Sequence, residues 1–138
     1  MDQALIDSTQ RWTAKASHDL IGARRCSEGN DVTLDVAIYH CQQAAEKSLK
    51  AFLHFHGEEV LKTHNLKVLL PLCANLSAGF SAFQADAALL NPLATAFRYP
   101  DDFTPLNPTR TEFDEALAAA KRIYDFVLSQ LPAETHPT

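Results

Sequence analysis

The chain is 138 residues long, with 46% hydrophobic and 21% charged residues and a formal net charge of -5. That is one domain with enough apolar side chains for a core, and its acidic balance excludes a general nucleic-acid coat while permitting a local basic pocket. No apolar run approaches the ~18 residues of a membrane span, and residues 1–7 carry neither a basic region nor a sustained apolar segment, so a cytoplasmic chain without membrane contact is expected.

In chain order, the first helix is predicted from about residue 3 to 28. Leu5, Trp12, Ala16, Leu20 and Ala23 form its apolar stripe, and Arg11, Lys15, His18, Asp19 and Arg25 are mostly outward. Gly29-Asn30 supplies a stop, because both residues tolerate the left-handed conformation. Asp31 or Thr33 then caps a central helix running to near Gly57. Leu34, Ile38, Cys41, Ala45, Leu49 and Phe52 recur at three- and four-residue steps as one apolar face. Small residues at Ala44, Ala45 and Ser48 admit a neighbouring helix. The other face carries Gln43, Glu46, Lys47 and Lys50, with no Gly or Pro from Asp31 to His56.

Asn65 caps a third helix bearing Leu66, Leu69, Leu70, Cys73 and Leu76, in which Pro71 predicts a kink or an early end. Residues 75–81 read as a turn, and a fourth helix is predicted over 83–98, interrupted or bent at Asn91-Pro92. The proline-rich segment 99–108 excludes regular structure. Thr109-Arg110-Thr111-Glu112 has the spacing of a capping box and starts a last helix on Phe113, Leu117, Ala120, Ile123 or Tyr124, Val127 and Leu131. Residues 1–131 are thus expected to form one domain, with a frayed, flexible tail over 132–138. No segment shows strand alternation, so the fold class is all-α: an antiparallel, up-and-down bundle of four to five helices.

Cys26, Cys41 and Cys73 are odd in number and widely spaced, which fits neither a disulfide framework nor a zinc site. Six histidines make no HxxxH or HExxH pattern, so neither metal nor cofactor is expected. The four glycines are isolated, which excludes the usual nucleotide-binding loops. Arg98 ends the predicted fourth helix ahead of an aromatic, a proline and two carboxylates. Its guanidinium fits phosphate through a planar donor fork, or it complements the helix end and pairs with Asp101 or Asp102. Glu46 and Lys50 read either as a surface ion pair worth ~0.3–0.5 kcal/mol or, with Gln43, as the lining of a groove against the Arg98 loop. His40 lies beside the polar face, and His64 either caps the third helix or contacts a ligand.

His40-Cys41-Gln42-Gln43-Ala44-Ala45-Glu46-Lys47-Ser48-Leu49-Lys50-Ala51, then His64-Asn65-Leu66 with Leu69-Leu70, then Phe97-Arg98-Tyr99-Pro100, resembles the prokaryotic HEPN domains (higher eukaryotes and prokaryotes nucleotide-binding) over roughly residues 10 to 130. The resemblance implies a helical bundle that associates as a homodimer or higher oligomer, and a minimal nucleotidyltransferase partner in a toxin–antitoxin-like pair. Many such toxins are metal-independent ribonucleases that use an Arg followed, after four to six residues, by a His. The arginine carries over to Arg98. Positions 103, 104 and 105 hold Phe103, Thr104 and Pro105, none of which titrates near neutrality, so the motif lacks its histidine.

The sequence therefore predicts a protein that binds a nucleotide or RNA phosphate in a helix-lined cleft. Arg98 and Lys50, with Lys47 nearby, meet the phosphate, Tyr99 stacks on a base, and Glu46 and Gln43 orient these groups. Two alternatives stand beside it. One is a ribonuclease toxin with a non-standard acid–base pair drawn from Asp101, Asp102, His40 or His64, and the other is a non-catalytic interaction module.

Overall fold

Helix α1 (Gln3–Cys26) starts where the Asp2 carboxylate accepts from the amides of Ala4 and Leu5, and it ends at Ser27. This computed structural model describes residues 2–103 and 105–138. Helix α2 (Leu34–Phe55) closes with the Gly57 amide donating to the His54 carbonyl and the Glu58 amide to that of Leu53. The second bond needs a left-handed residue just after the helix. Gly57 (φ 75°) supplies it, and Gly29 (φ 86°) does so just beyond α1. Thr33 holds the N-cap position of α2 but makes no side-chain cap bond.

Helix α3 (Leu66–Leu76) is capped by Asn65, whose side chain accepts from the Lys67 amide, while the Leu66 amide is taken by Asn91 from a later segment. The predicted early end at Pro71 does not occur. Pro71 is exposed, and the burial of Leu69, Leu70 and Cys73 holds the helix together around its missing donor. The expected turn after α3 is instead a 3₁₀ segment, Ala78–Phe83. The fourth helix is interrupted at Asn91-Pro92, one of the two expected outcomes, and does not resume: α4 covers Gln84–Leu90, and Asn91–Ala94 tightens into a 3₁₀ turn around Pro92. Arg98 therefore stands in a hydrogen-bonded turn, its amide donating to the Thr95 carbonyl, and not at a helix terminus. No regular element covers the described residues of 99–108. Helix α5 (Arg110–Ser129) opens with the capping box as predicted, Thr109 and Glu112 each accepting the other's amide.

The described residues hold five α-helices and no strand, an all-α bundle. Helix α2 is its axis and packs against α1, α3, α4 and α5. Small side chains allow close approach: Ala16 and Ala23 on α1, and Ala37, Ala44 and Ala45 on α2, are fully buried. Farther along, Phe52, Phe80, Phe126 and Phe83 pack in sequence at ring separations of 4.6, 4.8 and 4.8 Å. The segment expected to fray after Leu131 is packed on α1 instead. Thr135 is fully buried, the Thr13 hydroxyl donates to its carbonyl at 2.6 Å, and the Gln10 amide reaches the His136 carbonyl. The tail has polar partners waiting on α1, which composition does not reveal.

Candidate functional site

On α2, Tyr39, His40, Gln43, Glu46, Lys47 and Lys50 project from neighbouring turns of one side, as helical spacing dictates. Neighbouring elements cover that side and sort its polar groups into two networks. In the first, Asp19 of α1 accepts from His40 Nδ1 at 2.8 Å and from Lys47 Nζ at 2.7 Å. Asp19, expected to point outward, is in fact buried at 7% exposure. Burial pushes its carboxyl up, but the hydrogen bonds and charges of His40 and Lys47 outweigh this and hold it below the ordinary value of 3.8. An ionised carboxylate only accepts, so His40 carries its proton on Nδ1 and keeps Nε2 for other work. The edge of the ring that bears Nε2 lies over Gly22, where a Cβ would meet it at 3.6 Å. Alanine fits there, whereas a long side chain would cover the ring.

The second network joins α2 to the segment before α3. Glu46 Oε2 takes Lys50 Nζ at 3.0 Å, and Oε1 takes His64 Nδ1 at 2.8 Å. Gln42 donates to the His64 carbonyl at 3.0 Å and accepts from Gln43 at 2.7 Å. The side chains of Glu46 and Lys50 are only 5% and 6% exposed. The expected surface ion pair is therefore a buried one, because the segment carrying His64 folds over it. His64 does not cap α3; it hangs its imidazole on Glu46.

Arg98 reaches α2 from the turn after α4, its guanidinium carbon 3.9 Å from the Tyr39 ring centre. Asp35, Val36, Tyr39, His40, Phe97 and Arg98 line a cavity of about 400 Å³. Of the residues nominated by sequence, the structure thus brings Arg98 and His40 to one cavity. It gathers Lys50, Glu46 and Gln43 in a buried network, with the exposed His64 imidazole at its edge, and places Lys47 on Asp19. Tyr99 is 70% exposed. Sequence reading missed Tyr39, Gln42 and Asp19 as site residues. Gln42, one turn before Glu46, carried a local signal; Asp19 carried none, since its partners lie 21 and 28 residues away.

Among the described residues no group of three or more His, Cys, Asp or Glu is arranged to hold a metal ion. Burial pushes the thiols of Cys41 and Cys73 up to about 12, out of the range of a nucleophile. No helix among the described residues is long and apolar enough to cross a membrane. Of the positions where the ribonuclease motif would place its histidine, Phe103 is 96% exposed and Thr104 lies outside the described residues.

The bundle and its polar seam along α2 define an all-helical domain with a cleft that carries an arginine, a histidine and a carboxylate, Asp35. The HEPN domain profile matches residues 9–131. The crystal structure of an archaeal HEPN homologue superposes with a TM-score of 0.70 at 31% sequence identity, covering 88% of this chain and 96% of that one. No curated protein matches the chain in sequence. The chain belongs to the HEPN family.

Proposed function

We propose that this HEPN domain binds the phosphate of a nucleotide or RNA in the cleft between α2 and the Arg98 turn. It works there as a homodimer or higher oligomer, beside a nucleotidyltransferase partner in a toxin–antitoxin-like pair. The observation that carries the binding reading is that Arg98 and His40 open on one cavity of about 400 Å³. Stacking on Tyr39 occupies the face of the guanidinium and leaves its in-plane donors for phosphate oxygens. Tyr99, exposed beside it, offers a face for a base. Lys50 has a different part in this reading, since its ammonium is engaged by Glu46. With Gln43 and Gln42 it braces the cleft wall, and Lys47 with Asp19 sets the His40 ring.

A thermal-shift panel of ATP, AMP, GTP and short RNA oligomers tests the reading. One ligand should raise the melting temperature of the wild type and not that of Arg98→Ala, whose own melt stays close to wild type. A shift that survives in Arg98→Ala, or no shift with any ligand, refutes the assignment.

A second reading, metal-independent RNA cleavage, is favoured by the Asp19–His40 pair on the same cavity as Arg98. His40 Nε2 takes the 2′-hydroxyl proton, the 2′ oxygen bonds to phosphorus, and the bond from phosphorus to the 5′ oxygen breaks. The imidazolium returns the proton to that leaving oxygen, giving a 2′,3′-cyclic phosphate and a 5′-hydroxyl, while Arg98 neutralises charge on phosphorus. Incubation with RNA in chelator should show cleavage that His40→Ala and Arg98→Ala both abolish. Intact RNA with the wild type rejects this reading and leaves the binding reading standing.

A further inference from the structure

Helices α1 and α5 run antiparallel. Arg110 at the start of α5 donates to the Ser27 carbonyl beyond the end of α1, and the segment after α5 bonds back to Gln10 and Thr13. Both helices pack on α2, and between them runs a groove of about 430 Å³. Its middle is apolar, with Leu20 and Ile21 on one side and Leu117 and Ala118 on the other. On each helix the residues lining it recur at three- and four-residue steps, so the groove follows the two axes. A second cavity of about 360 Å³ shares Ser17 and Ile21 with it and continues toward Gln10. Together they form a trough along α1 from residue 10 to 24, about 20 Å long at the helical rise.

The charges on this trough oppose those of the chain as a whole. Arg24, Lys121 and Arg11 stand along it; Lys121 is paired with Asp125, neither arginine is held in an ion pair among the described residues, and Asp114 faces Arg24 across one end. The chain carries a net -5, so this is a local cationic margin around an apolar floor. A second copy would bring to Arg24 and Arg11 a margin with one carboxylate, Asp114, and two unpaired guanidiniums of its own. An amphipathic helix with acidic flanks satisfies both features: apolar side chains at i, i+3, i+4 and i+7 seat between Leu20 and Leu117, and carboxylates reach Arg24 and Arg11.

We infer that the α1–α5 trough is a docking site for an acidic amphipathic helix of a different protein. The inference stands apart from the phosphate cleft and does not depend on it. The test uses the full chain and a fluorescein-labelled synthetic peptide of about four helical turns, with leucines on one face and glutamates flanking them. A control peptide has lysine at every glutamate position.

Fluorescence anisotropy should show binding of the acidic peptide that weakens with added salt, and no binding of the basic one. Ala118→Arg fills the groove from an exposed position on α5, and Arg24→Glu inverts its margin. Each should weaken binding by about tenfold, with thermal melts showing that both variants fold. Arg98→Ala should bind the peptide as wild type does. Equal binding of the two peptides, no binding of the acidic one, or binding unaffected by Ala118→Arg overturns the proposal. So does sedimentation showing a wild-type dimer that Ala118→Arg makes monomeric, because the occupant is then a second copy.

Discussion

Glu46→Gln tests whether the polar side of α2 is a solvated face or part of the interior. The carboxylate is only 5% exposed and holds both the Lys50 ammonium, itself 6% exposed, and the His64 imidazole. Removing its charge leaves Lys50 buried without a counter-ion, a situation that costs about 3–5 kcal/mol. An exposed pair at the same spacing would lose only ~0.3–0.5 kcal/mol. With an unfolding entropy of about 2 cal/mol/K per residue, 138 residues give about 0.3 kcal/mol/K, so the variant should melt about 10–17 °C below wild type. Adding Lys50→Met, which removes the stranded charge and keeps its volume, should restore most of that loss. Urea denaturation of both variants, followed by circular dichroism at neutral pH, measures the cycle. A single-variant loss under about 1 kcal/mol, or no recovery in the double variant, would refute the buried-pair account.

Asp19 should titrate below 3.8 when its carboxyl carbon is followed by NMR, and the midpoint should rise in Lys47→Met, which removes one of the two donors holding it down. Its folded-state pKa is depressed, so it contributes stability above about pH 3.8 that is lost as pH falls through the lowered folded value. Deleting residues 133–138 removes the bonds from Thr13 and Gln10 and uncovers part of α1; at about 1 kcal/mol per hydrogen bond the melting temperature should fall by several degrees, and an unchanged melt would reject the packed tail. Thr109→Ala and Glu112→Ala should each cost about 1 kcal/mol, and the double variant should cost less than their sum, because the two residues form one reciprocal cap; additive losses in urea titrations would contradict this.

Local chemistry determined much of the bundle from the sequence. Helical periodicity marked the apolar faces, Gly29 and Gly57 marked two helix ends, Asn65 and the Thr109–Glu112 box marked two starts, and α2 was visible as the central element. Those signals act within a turn or two of backbone, so they survive without tertiary context. Where proline chemistry met packing the reading was weaker. Pro71 stays inside α3 because the buried side chains around it offset one lost donor, whereas the interruption expected at Asn91-Pro92 does occur and the helix does not resume toward Arg98.

The cleft depended on long-range placement. Sequence could nominate His40 and Arg98, but not that Asp19 comes across from α1 to orient the imidazole, nor that Arg98 lies on Tyr39. It could pair Glu46 with Lys50 by spacing, yet not their burial, which is decided by a segment carrying His64 18 residues away. A side chain's charge and hydrogen-bonding capacity are written in its identity. Its desolvation and its partners are set by which other elements the fold brings against it, and only the tertiary structure decides those.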